Sequence, residues 1–306
     1  MRGRSDGHLA VVALAAAALA LAAAAPTLAR PGAVARTLFQ PGSCVVFGPT
    51  TSNRHLRVFI DAGHGGPDPG GIGRTSAGQT IEEASLNVLV ATDAAALLRR
   101  LGFSVVLSRT GPEAVARPTS GDLVGGVFTP QGSHRDLVAR NRCADLAHAD
   151  AVIGMDFNAA GSPAAAGSVT LYDAVRPYAV ASRRLAQLVQ REVLTSLHAE
   201  GIAVPDLGVH TDVGFGSALT GADREYGHLV LLGPAKRGYL DTPTMAPAAL
   251  IEPLFLTDPP EASVAATRAG QKAIARGLAQ AIEQFFAPSA TARTDLRSVA
   301  AGRAVA

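Results

Sequence analysis

The chain has 306 residues, 48% of them hydrophobic and 17% charged, a balance that describes a folded globular protein and excludes a disordered one. A formal charge of +2, with no lysine or arginine run interleaved with aromatics, sets nucleic-acid binding aside. Without the two ends, roughly 240 residues remain, enough for one α/β domain with a substantial core.

Arg2 and Arg4 precede an alanine- and leucine-rich stretch from Leu9 to Ala25, with small residues at Ala24, Ala25 and Ala29. Residues 1–30 therefore read as a secretory signal peptide, with an uncleaved membrane anchor as the alternative; Pro26 leaves the cut site open. The apolar stretch falls short of the about 20 residues that a spanning helix needs. The mature form is expected in the cell envelope or secreted, with no stable membrane span. In an oxidising compartment Cys44 and Cys143, the only cysteines, are expected to pair. Closing such a loop of about 100 residues is worth up to ~4.7 kcal/mol in the chain-entropy model. Two separate buried thiols are the alternative.

Residues 31–56, rich in Pro, Gly, Ser and Thr, predict an irregular entry segment. Val58 to Ile60 predicts a strand. Leu86, Val90, Ala94, Leu97 and Leu101 recur at helical spacing, and Gly102 ends that helix. Phe103 to Leu107 predicts the next strand, and residues 111–134, rich in Gly and Pro, a long surface loop. A helix through Leu137 to Ala147 and strands at Ala151 to Met155 and Val169 to Tyr172 follow. Leu185, Leu188, Val189, Glu192 and Val193 mark a third helix. Residues 203–227, glycine-rich and without a steady period, predict a second loop beside the site. Val230 to Leu232 and Ala249 to Ile251 predict strands, and Glu261 to Phe286 a closing helix. Residues 287–306 predict a disordered tail. Strands separated by helices predict an α/β single domain over residues 57–286, with a mainly parallel or mixed twisted sheet and helices on both faces. No repeat or second module is visible, and a monomer is expected.

Four residues at element ends carry chemistry. His64 follows the β-branched run Val58-Phe59-Ile60 in the glycine-rich turn Gly63-His64-Gly65-Gly66, where α/β sheets place their ligand crevices. Glu83 begins the first long helix, where the helix dipole favours a carboxylate even without a metal; Glu82 is an adjacent competitor. Asp156 follows the apolar strand Val152-Ile153-Gly154-Met155, and a carboxylate buried there needs a cation, an arginine or several amide donors. Glu252 sits the same way after Ala249-Leu250-Ile251, with a salt bridge to Arg109 or Arg140 as its purely structural explanation.

These blocks resemble the zinc-dependent N-acetylmuramoyl-L-alanine amidases often called amidase 3. Ile60-Asp61-Ala62-Gly63-His64-Gly65-Gly66-Pro67-Asp68-Pro69-Gly70 is similar to the opening metal-ligand motif. Glu83 with Asn87 falls on the second ligand, the stretch from Arg140 to Ala160 on the block ending in the third, and Leu250 to Pro259 on the block with the catalytic glutamate. The blocks lie in order over residues 57 to about 285. One departure stands out: the third ligand of the family is a histidine in a Ser-Ile-His-Ala-Asn segment, whereas this chain reads Gly154-Met155-Asp156-Phe157-Asn158. The resemblance thus implies His64, Glu83 and Asp156 around one Zn2+. Aspartate binds zinc at about 2.0–2.2 Å, but the added charge weakens the Lewis acid and favours harder cations such as manganese. His210 and His228 are alternative replacement ligands.

The implied activity is hydrolysis of the amide between the lactyl group of N-acetylmuramic acid and L-alanine by a metal-activated water, with Glu252 as general base. Peptidoglycan fragments and muropeptides are the implied partners, and the lack of a visible wall-binding module favours soluble or loosened ones. Asp156 gives one rival class, an amidase-fold protein that has lost activity but binds muropeptides or a cell-wall partner; another is a metal-dependent peptidase acting on the stem peptide, against which the family blocks argue.

Overall fold

The computed structural model describes residues 38–214 and 221–287. The expected signal peptide and the tail from residue 288 lie outside the described residues. Along the chain run β1 (Ser43–Phe47), β2 (Arg57–Ala62), β3 (Ile72–Arg74), β4 (Thr80–Glu82), α1 (Glu83–Arg100), β5 (Ser104–Arg109), β6 (Leu123–Val124) and β7 (Val127–Phe128). Then come α2 (Pro130–Leu146), β8 (Ala151–Met155), β9 (Ser168–Tyr172), α3 (Ala179–Ala199), β10 (Asp206–Thr211), α4 (Gly221–Tyr226), β11 (Ala248–Glu252), α5 (Pro259–Ala266) and α6 (Arg268–Phe285).

A seven-stranded sheet in the order β1-β5-β2-β8-β11-β9-β10 forms the centre. The inner strands β5, β2, β8 and β11 are mutually parallel. β1 is antiparallel to β5, and β9 is antiparallel to β11. This is the expected single-domain α/β architecture with a mixed sheet. Because successive strand residues face opposite sides, the two cores separate cleanly. Val58, Ile60, Val105, Ile153 and Ile251 pack with α1, α3 and α6 on one side. Phe59, Val106, Val152, Leu171 and Leu250 pack with the end of α2 on the other.

The helices obey local rules. In α1 Glu83 occupies the first turn and Arg99 and Arg100 the last, both favoured by the dipole, and Gly102 adopts φ +88° just past the end. Thr129 caps α2 by accepting from the Gly132 N–H, and Pro130 occupies its first turn. This start lies seven residues before the helix predicted at Leu137. Consequently the predicted loop 111–134 is shortened, and within it β6 and β7 form a small hairpin.

Four other expectations are corrected. The entry segment contains β1, which pairs with β5 from Ser43 to Phe47. The predicted loop 203–227 contains β10, an edge strand whose register shifts between Asp206 and Gly208, and α4. Val230 to Leu232 is a buried turn, not a strand: the N–H groups of Leu232 and Gly233 both bond to the Leu229 carbonyl. Its apolar side chains fill the core without joining the ladder. The closing helix is two, α5 and α6, because the Thr267 side chain accepts from the Gly270 N–H and begins a new helix.

Cys44 and Cys143 form a disulfide that ties β1 to α2 across 99 residues. Among the described residues no helix is long and apolar enough to cross a membrane.

Candidate metal centre

The parallel run β2-β8-β11 brings three chain segments to one sheet edge: the turn after β2, the residues after β8 and the last residue of β11. His64, Asp156 and Glu252 occupy them. Glu83 arrives from the first turn of α1, where the β3–β4 hairpin feeds the helix. One ligand atom each of His64, Glu83 and Asp156 lies within 4.8 Å of the others. His64 Nε2 is 3.3 Å from Glu83 Oε1 and 3.9 Å from Asp156 Oδ1.

Each donor is held from behind. His64 adopts φ +60°, a left-handed backbone that costs a non-glycine residue on the order of 1–3 kcal/mol. Its carbonyl accepts from Arg140 Nη2 at 2.7 Å, and its Nδ1 lies 2.8 Å from Asp68 Oδ2. A carboxylate only accepts, so Nδ1 carries the proton and Nε2 is left to face the acids. Glu83 Oε1 accepts from the Phe157 N–H and Oε2 from the Gly71 N–H. Asn87 Nδ2 donates to Asp156 Oδ1 at 3.1 Å. Gly63 is required here, since a Cβ on it would come within 1.5 Å of Asp156 Oδ1. Glu252 Oε2 accepts from Asn158 Nδ2 at 2.6 Å.

The protein supplies too little positive charge for this cluster. Burial first, helped by Glu83 and Asp61 and opposed by His64, pushes the Asp156 carboxyl up to about 7. Burial, then Asp156 and Glu83, lifts Glu252 to about 8. Burial would lower the His64 imidazole, but the Asp68 and Glu83 hydrogen bonds and the surrounding carboxylates raise it to about 11. His64 Nε2, Glu83 and Asp156 thus face one another where a metal ion would serve all three donors. One imidazole and two carboxylates, half-buried, make a donor set suited to zinc with a position left open.

The site opens into a cleft of about 570 Å³ that also reaches Phe128, Leu137, His228, Leu231 and Tyr239. That volume lies within the roughly 300–1,000 Å³ of ordinary ligand pockets. The two alternative ligands do not join the centre: His210 is exposed with Nε2 on the Leu207 carbonyl, and His228 Nδ1 faces Asp173 and Asp212.

A family model described as N-acetylmuramoyl-L-alanine amidase matches residues 58–284, which contain all four residues of this centre. The chain belongs to that family. Solved structures show the same fold. An N-acetylmuramoyl-L-alanine amidase from Clostridium difficile 630 is 24% identical with a TM-score of 0.53, covering 75% of this chain and 96% of its own. The CwlD amidase from Clostridioides difficile, solved with the GerS lipoprotein, is 20% identical with a TM-score of 0.56, covering 75% and 98%. The catalytic domain of CwlV from Bacillus (Paenibacillus) polymyxa var. colistinus is 21% identical with a TM-score of 0.51, covering 75% and 97%. No curated protein matches the chain by sequence.

Neither arginine suggested as a Glu252 partner pairs with it in this amidase. Arg109, fully buried, donates to the carbonyls of Ala62, Gly63, Ala84 and Gly111 and so shapes the backbone around His64. Arg140 donates to Asp61 Oδ1 at 2.8 Å, to Asp136 Oδ2 at 2.7 Å and to the carbonyls of Ala62 and His64. Burial opposes its charge, yet Asp61 and Asp136 outweigh burial and hold the guanidinium above its ordinary value. Removing one partner of a buried ion pair costs about 3–5 kcal/mol, because the others stay buried without compensation. Arg140→Met is therefore expected to lower the urea midpoint by that equivalent at unchanged slope. Adding Asp61→Asn and Asp136→Asn should recover most of the loss; a single-variant loss under about 1 kcal/mol would contradict this role.

Proposed function

We propose that this protein is a peptidoglycan hydrolase that cleaves the amide between the lactyl group of N-acetylmuramic acid and L-alanine. The reading is carried by one observation: within the family-matched segment, His64, Glu83 and Asp156 converge beside Glu252 at the carboxyl ends of β2, β8 and β11. His64, Glu83 and Asp156 would hold one divalent cation, zinc by the chemistry of the set, with manganese favoured more than in a two-histidine site. Such a cation supplies Lewis-acid polarisation of the amide carbonyl and acidifies water.

The remaining chemistry belongs to the chain. Asn158 fixes Glu252 Oε2, so proton transfer falls to Oε1. With its carboxyl raised toward neutrality by burial and by Asp156 and Glu83, Glu252 can take a proton from the attacking water and return one to the leaving amine. Asp68 and Arg140 keep His64 oriented throughout. The Cys44–Cys143 disulfide supports an extracytoplasmic location, where such bonds persist and where peptidoglycan lies.

Digestion of a muramoyl peptide followed by mass analysis tests the reading. The expected products are the free lactyl acid of N-acetylmuramic acid and a peptide beginning at L-alanine. Cleavage within the stem peptide, or none with metal supplied, would refute it.

A further inference from the structure

The strand ends beside the cleft gather a second set of metal-type donors. β9 and β10 run parallel with Tyr172 beside Thr211, so Asp173 and Asp212, each the next residue, leave the sheet together. The Asp212 N–H donates to the Tyr172 carbonyl and holds the two ends in step. His228 reaches both acids from the segment that leads into the buried turn at Leu229. Its Nδ1 is 3.0 Å from Asp173 Oδ2 and 3.1 Å from Asp212 Oδ1. One ligand atom from each of the three lies within 4.8 Å of the others. The set shares no residue with the first centre. β9 runs antiparallel to β11 with Leu171 opposite Leu250, so Asp173 lies level with Ala248, at the end of β11 remote from Glu252.

These acids are one proton short. Asp173 and Asp212 are buried, at 2% and 0% exposure. Main-chain donors take one oxygen of each: the Val175 and Arg176 N–H groups bond to Asp173 Oδ1, and the Leu229 N–H to Asp212 Oδ2. The other two oxygens turn toward a single Nδ1, which carries at most one proton. Nδ1 bonds to Asp212 Oδ1, and among the described residues Asp173 Oδ2 accepts no hydrogen bond. A buried carboxylate oxygen without a partner is costly. Arg176 feels both charges, but its guanidinium donates to the carbonyls of Leu231, Leu232 and Ala246. Tyr226, edge-on to the His228 ring at 5.5 Å, gives its hydroxyl to the Pro234 carbonyl.

A divalent cation removes the shortfall. With the ring neutral and Nδ1 unprotonated, all three atoms become donors to one ion. Donors that share a zinc at about 2.0–2.2 Å stand roughly 3.3–3.6 Å apart in a tetrahedron, within a few tenths of the two Nδ1 separations. Ligating carboxylates are themselves oriented by hydrogen bonds, as the main chain orients both of these. Imidazole with carboxylates suits divalent ions of the zinc and manganese kind. His228 lines the cleft and neither acid does, so an ion here stands behind the cleft wall.

We propose that Asp173, Asp212 and His228 bind a second divalent metal ion, which fastens the His228 wall of the cleft to the ends of β9 and β10. The site is structural, remote from the bond that breaks, and it does not depend on the amidase reading.

The test is the zinc content of the full chain, by elemental analysis after equilibrium dialysis against free zinc. Wild type is expected to hold about two equivalents and His228→Gln about one. Asp156→Ala, which empties the first centre, should still hold about one, and adding Asp212→Asn should bring it close to zero. If the cluster variants fail to fold, Asp156→Ala alone decides. Stripped with chelator, its thermal midpoint should rise by about 5 °C or more as free zinc reaches about 100 times the dissociation constant, because the ion binds only the folded chain. A midpoint that zinc leaves unmoved overturns the site. So does a wild-type content of one equivalent that vanishes in Asp156→Ala, or a content that His228→Gln leaves unchanged. A protein that holds the second ion but cleaves no lactyl amide would sink the activity and leave this site standing.

Discussion

Glu252→Gln is expected to lower amide hydrolysis by about 10²–10⁴-fold, the usual contribution of a positioned acid–base group. Metal content and thermal midpoint should stay near their wild-type values. Glutamine keeps the shape and can still accept from Asn158 Nδ2, so the contact that orients the side chain survives. What disappears is the ability to take a proton from water. The substitution also removes one of three crowded carboxylates, and it was burial together with Asp156 and Glu83 that raised this carboxyl in the first place. Its loss therefore relieves repulsion and should not weaken folding. Measured kcat on a muramoyl peptide, beside metal analysis of the same preparation, separates the two effects. A fall in kcat of less than tenfold would remove Glu252 from the proton transfers.

Asp156 and Glu252, two of the four residues of this centre, were legible in the sequence through one property: a polar residue immediately ends an apolar strand. Asp156 after Val152–Met155 and Glu252 after Ala249–Ile251 need no tertiary knowledge, because a carboxylate at a buried strand end demands a partner. The same cue attaches to Arg109, which ends the buried strand β5. Asp68 lies in the same glycine-rich turn as His64. Its approach to His64 depends on Gly65 and Gly66, at φ +120° and +63°, folding the turn back, and spacing does not reveal this.

Elsewhere the misses have separate physical causes. Thr129-Pro130 is a readable helix start, but the Pro- and Gly-rich stretch before it conceals where the loop ends. β10 is an exposed edge strand with a register shift at Gly208, so neither burial nor alternation marks it. Val230 to Leu232 has strand composition but is buried as a turn, since a short apolar run reports burial and not conformation. The Asp173–Asp212–His228 cluster joins the ends of two strands to a following loop across 55 positions of sequence, and the parallel pairing of β9 with β10, which sets Tyr172 beside Thr211, brings the two acids together.

Asp156 is the proposed third donor of the centre, and paired substitutions test that role. Asp156→Ala is expected to purify without zinc at this centre, its affinity falling by more than the roughly 10–100-fold that loss of an outer partner alone costs. With only His64 and Glu83 remaining, two donors are too few to hold a catalytic zinc, which takes three protein ligands. Asp156→His should keep or tighten binding. It replaces an anion, whose carboxyl burial and the charges of Glu83 and Asp61 push up to about 7, by a neutral donor that needs no such compensation. The imidazole must turn outward from Gly63, over which Asp156 Oδ1 now lies, and the cleft provides room on that side. The exchange should also shift preference: two carboxylates with one histidine suit manganese better than one carboxylate with two histidines does. The manganese-to-zinc affinity ratio should therefore fall in Asp156→His. Elemental analysis after dialysis, followed by chelator competition with each metal, reads all three outcomes. An alanine variant that retains the full wild-type zinc content would show that Asp156 is not a ligand and leave its buried charge to Asn87 and His64.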